Sequence, residues 1–145
     1  MLKDKLVDFF LEKSFWYEDE SEEYKQALCS IGLDVRSDAF CFFAHAEDGP
    51  SFVTAKGELI QLAWHIINTD YEIDLRSLRA ALGLPVSWFI LTSFEAGGGY
   101  FYDSKNGGVF FIKLGDGFEG SDLDKMLPQW KNFEDFLRFF FDIPC

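Results

Sequence analysis

The sequence predicts an α+β fold: a single domain over residues 1–145, with a mostly antiparallel, twisted sheet and N-terminal, inserted and C-terminal helices packed on it. Three observations predict it. Helix-period apolar stripes fill the first 46 residues, strand-like runs flank an Asn106-Gly107 turn, and an aromatic helix pattern closes the chain. A length of 145 residues suits one domain, with no repeat or linker to divide it. Eighteen Phe, five Tyr and four Trp supply a core without need of staples.

Leu2, Leu6, Phe9, Phe10 and Lys13 follow the stripe of an amphipathic first helix. A second helix is predicted from about Glu20 to Ile31, with Tyr24, Ala27, Leu28 and Ile31 inward and Gly32 as its stop. A third runs from about Val35 to Ala46, with Val35, Ala39, Phe42, Phe43 and Ala46 on one side, before Gly49 and Pro50 forbid continuation. Ser51 to Ala55 reads as a strand and Lys56-Gly57 as a turn. Glu58 to Ile67 fits strand or helix, because a short apolar run does not settle the period. Leu75, Leu78, Ala81 and Leu82 predict a helix opened by Asp74 and closed by Gly83. Val86 to Phe94 reads as a strand, and Gly98 to Asp103 with Gly108 to Leu114 as a hairpin around Ser104–Gly107. Asn132 is a good N-cap for a last helix with Phe133, Phe136, Leu137, Phe140 and Phe141 as its buried stripe.

The net charge is −12, and both ends are more acidic than the middle. Phosphates need Lys and Arg, so direct nucleic-acid binding is disfavoured and a basic protein partner is favoured. Cys29, Cys41 and Cys145 lack metal-site spacing and read as buried free thiols, which suits a reducing cytoplasm. Asp4 and Asp8 interrupt any signal-peptide core, and the apolar run around Val86 to Leu91 is too short to span a bilayer. The expectation is a cytoplasmic protein that neither binds nor crosses membranes.

No catalytic motif stands out, and no catalytic, cofactor or metal residue is assigned. His45 and His65 read as structural histidines. Gly97-Gly98-Gly99 lacks the context of a phosphate loop, and the acidic run from Asp116 to Asp124 does not match calcium-loop spacing. Glu18 to Glu23 places five acids in six positions, more than helix capping needs. The surplus predicts a partner-facing patch. The candidate partner-binding residues are Glu18, Asp19, Glu20, Asp116, Glu119, Asp122 and Asp124, with Tyr100 and Tyr102 as aromatic anchors. In the hairpin, Phe110, Ile112 and Leu114 share a face and Val109 and Phe111 the other. Helices on one side only would leave an aromatic interface exposed, unless the N-terminal helices cover it. A weaker enzymatic expectation rests on a pocket around Trp64, His65 and Glu95.

Three stretches, in order, carry a family likeness: Asp34 to Gly49, a helix running into a Gly turn; Tyr100 to Ile112, an aromatic strand, turn and strand; and Trp130 to Leu137, the start of a closing helix. Together they resemble the SUKH superfamily, which includes a fungal cell-wall regulator family and many bacterial toxin-immunity proteins. The likeness covers about Tyr24 to Ile143. The chain departs from it at Leu33-Asp34-Val35, where the family often has Pro, and at Asp48-Gly49-Pro50, where it often has Asn-Gly-Gly. The resemblance implies a non-enzymatic, cofactor-free protein that neutralises a cognate toxin domain, of nuclease type, by binding it. The fungal relatives imply the alternative, a scaffold or regulatory protein-binding module.

Overall fold

A computed structural model describes residues 2–92, 98–113 and 127–144. Three helices come first: α1 (Asp4–Glu12), α2 (Glu22–Ser30) and α3 (Asp38–His45). A hairpin follows, β1 (Ser51–Thr54) and β2 (Gly57–Ile60), then α4 (Leu62–Asn68) and α5 (Tyr71–Leu82). Strands β3 (Trp88–Ile90), β4 (Gly98–Asp103) and β5 (Val109–Lys113) form a second sheet in the order β3-β4-β5, and α6 (Phe133–Phe140) follows. Every strand pairing is antiparallel, so the architecture is α+β, as the sequence predicts. The sheet is nevertheless two small sheets, of two and three strands.

Local hydrogen bonds fix where the helices begin. Ser21, Ser37 and Asn132 each accept from the backbone N–H three residues on, so α2, α3 and α6 start directly after them. For α3 this corrects the expected start at Val35. Asp34 accepts from the Arg36 N–H in a turn, and Val35 is 60% exposed instead of facing the core. The ambiguous run resolves at Gln61, which ends β2 and caps α4 by accepting from the Trp64 N–H. Helix α5 opens at Tyr71, three residues before the expected Asp74, and closes at Gly83, whose φ of 67° is left-handed.

The three-stranded sheet is covered on both faces. Cross-strand neighbours share a face, so Trp88, Phe101, Phe110 and Ile112 lie together, and Leu78, Leu82 and Leu84 pack on them. On the other face Phe89, Tyr102 and Val109 join the main core, where Tyr102 meets Phe133 of α6 edge-on at 5.6 Å. The described part of this sheet is thus flanked by helices on both faces, and Phe111 is the aromatic residue there that stays exposed, at 38%. Helix α5 and the segment after it bury one side and α6 the other.

Both sheet edges are also occupied. The Arg79 guanidinium donates to the Trp88 carbonyl and the Tyr71 hydroxyl to the Ile90 carbonyl, while residues 129–130 hydrogen-bond with Val109. Backbone groups that could template another strand are satisfied in this way. Gly108 sits tightly under this strap. A Cβ there would lie 2.6 Å from Cβ of Pro128, whose ring cannot swing away. Gly108→Ala is expected to cost about 1–3 kcal/mol, the usual range for overpacking. The fall in urea midpoint measures it, and an unchanged midpoint would show that residues 127–130 yield freely.

The main core is aromatic and centred on Phe42, whose ring lies 5.2 Å from each of Phe10, Phe43 and Phe52. Helix α1 is tied to α6 by Glu134, which is buried, accepts from the Lys3 N–H at 2.9 Å and lies 3.6 Å from the Arg138 guanidinium. The carboxylate thereby caps an N-terminus that has no capping side chain of its own.

Candidate functional site

The site forms where the chain between α1 and α2 crosses the C-terminal end of α3. Trp16 bridges Ala46 in an antiparallel pair, and the Glu47 N–H donates to the Phe15 carbonyl at 2.8 Å. The Tyr17 N–H donates to the His45 carbonyl and the Ser21 N–H to the Ala44 carbonyl, at 2.9 and 3.1 Å. Between those two anchor points residues 18–20 arch away from the helix. Behind them Gln61, which is 0% exposed, donates through one amide nitrogen to the carbonyls of Phe43 and Ala46. The last turn of α3 is thus held from both sides, with its carbonyls satisfied.

The arch encloses a cleft of about 390 Å³, lined by Tyr17, Glu18, Asp19, Ser21, Tyr24 and the run from Ala44 to Glu47. Three of these residues are carboxylates, and no lysine or arginine is among the described residues that line it. The Tyr24 hydroxyl donates to Glu47 at 2.8 Å. Burial, and then this bond, hold the Tyr24 phenol well above the ordinary tyrosine range, so it stays a neutral donor to that carboxylate. The His45 ring stacks on Trp16 with centroids 4.6 Å apart and planes 5° apart, and its Nδ1 is 2.7 Å from the Tyr17 carbonyl oxygen. Tyr17 itself is 56% exposed. The cleft is negative, concave and aromatic, the combination that accepts a cationic group.

The candidate residues fare differently. Glu18 and Asp19 line the cleft. Glu20 turns to internal partners, lying 3.8 Å from the Lys25 ammonium and 3.9 Å from His45 Nε2. Glu22 and Glu23 occupy the first turn of α2, where acids favour the helix dipole. Tyr102 is corrected as an anchor: it is 3% exposed and enclosed in the core, so a partner cannot reach it. Tyr100 is half-buried among Phe111, Trp130 and Phe136. Asp116, Glu119, Asp122 and Asp124 lie outside the described residues. Glu47 was not singled out by sequence, although it completes the cleft.

The enzymatic expectation finds partial geometry. Trp64 and His65 are neighbours, with rings 5.1 Å apart, and Glu95 lies outside the described residues. His65 lines a separate cavity of about 320 Å³ with Tyr71, Asp74 and Thr92. Its Nε2 is 3.0 Å from the Pro50 carbonyl oxygen, and burial lowers its pKa. The Tyr71 hydroxyl is committed to the Ile90 carbonyl.

The cysteine expectation needs one correction. Cys29 and Cys41 are free thiols, but Cys29 is exposed on the outer side of α2, and only Cys41 is partly buried. Cys145 lies outside the described residues. Among the described residues no group of His, Cys, Asp and Glu could hold a metal ion, and no helix is long and apolar enough to cross a membrane. No family model, curated protein or solved structure matches the chain.

Proposed function

We propose that this chain is a SUKH-type immunity protein of the cytoplasm, which binds and neutralises a cognate, nuclease-type toxin domain without catalysing a reaction. The observation that carries the reading is the cleft between the arch before α2 and the end of α3. Glu18, Asp19 and Glu47 line it beside the exposed ring of Tyr17, with no lysine or arginine among the described residues that do so. A surface built for its own stability would pair those charges or spread them, because like charges in one cleft repel. Nuclease domains carry cationic surfaces to hold phosphates. An acidic cleft on the inhibitor steers such a surface into contact, and an aromatic ring at the contact slows its departure.

The test reads the adjacent open reading frames for a nuclease-type toxin domain and mixes that domain with the full chain in stopped flow. A one-to-one complex is expected, with association slowed roughly 10-fold at low salt by Glu18→Lys with Asp19→Lys, and a flatter salt dependence. An unchanged rate would remove the electrostatic reading of the cleft. Failure of the unaltered chain to form any complex would remove the immunity assignment.

A further inference from the structure

We propose that the cleft receives one arginine side chain of the protein partner; this rests on the reading of the cleft as the partner-binding surface, and it names the group that enters. Acidic residues line the concavity from two separate segments, Glu18 and Asp19 on the arch and Glu47 after α3. A guanidinium carries five N–H donors in a rigid plane and can satisfy acceptors on two sides at once, which a single ammonium does less well. The Tyr24 hydroxyl donates to Oε1 of Glu47 at 2.8 Å, which positions that carboxylate.

The walls favour the same group. The His45 ring, stacked on Trp16 behind it, lines the cleft, and Tyr17 adds an exposed ring at the rim. Planar, weakly hydrated guanidinium packs on aromatic faces, whereas a compact ammonium keeps its water. The cavity is at the small end of the range for ligand sites, room for one side chain and not for a folded segment.

The experiment titrates the isotope-labelled full chain with N-acetyl-arginine amide, followed by backbone NMR shifts. Parallel titrations use the neutral isostere N-acetyl-citrulline amide and N-acetyl-lysine amide. Saturable millimolar binding of the arginine probe is expected, with shifts confined to residues 16–24 and 44–47. Citrulline is expected to leave those shifts unchanged, and lysine to bind several-fold more weakly. Asp19→Asn with Glu47→Gln is expected to weaken the arginine probe roughly 10-fold while the other resonances keep their positions. Equal response to citrulline or lysine, or shifts spread elsewhere, would overturn the proposal. If the arginine probe fails while charge reversal still slows toxin association, the immunity reading stands and the arginine pocket falls. If the probe binds but the toxin ignores charge reversal, the pocket stands and the proposed partner contact falls.

Discussion

Phe42→Ala is expected to destabilise the protein by about 3–5 kcal/mol, the range for emptying a buried aromatic site. Phe42 is fully buried at the centre of the aromatic core and reaches three other elements and the segment after α6. Its ring meets Phe10 of α1, Phe52 of β1, Phe133 of α6 and Phe141 just beyond α6. Truncation leaves a cavity walled by rigid rings that cannot collapse into it, so the cost falls at the upper end for its type. Against a typical stability of about 5–15 kcal/mol, that is a large fraction of the whole. Urea denaturation followed by tryptophan fluorescence measures the loss. A change below about 1 kcal/mol would mean that the site relaxes and that Phe42 is not the centre of the core.

Gln61→Leu is expected to cost about 2–5 kcal/mol although it introduces an apolar side chain of similar size. The native amide meets three backbone groups: the buried carbonyls of Phe43 and Ala46, and the part-buried Trp64 N–H. Leucine strands all three, and each unsatisfied buried group costs roughly 1–3 kcal/mol. Gln61→Glu separates polarity from volume. A carboxylate here would be buried against carbonyl oxygens, so its folded pKa would lie above the unfolded value of about 4.3. A raised folded pKa means the native state binds the proton more tightly. The variant should therefore be least stable at neutral pH and regain stability relative to the native protein as pH falls towards 4. A loss that is the same at every pH would show that volume, not hydrogen bonding, is what Gln61 contributes.

Much of the fold was legible because it depends on near neighbours. Asn132 was readable as a cap because its acceptor oxygen serves an N–H three residues away. Gly83 and the Asn106-Gly107 turn were readable because their backbone conformations exclude most side chains, with φ of 67° and 79° at the two glycines. Val35 misled because an apolar residue one turn before Ala39 extends the stripe, while Ser37 and the Asp34 turn stop the helix by hydrogen bonds that periodicity does not register. Val86 was read as strand for the same reason, yet regular pairing begins only at Trp88.

The site was half legible. Glu18 and Asp19 stood out as an unneeded surplus of charge, and both line the cleft. Glu47 did not, since nothing in the chain announces that a residue after α3 will lie beside the arch before α2. Tyr102 shows the same limit from the other side. Strand alternation assigned it a face, but only the docking of Phe133 of α6 buried that face.

Helix stripes, caps, turns and the excess of acid were therefore written in the chain, because each expresses forces acting over about four residues or a plain count of charges. Which sheet faces are covered, which thiol is exposed and which carboxylates share a cleft arose only on packing. Those outcomes depend on contacts between segments far apart in sequence, and no local pattern encodes them.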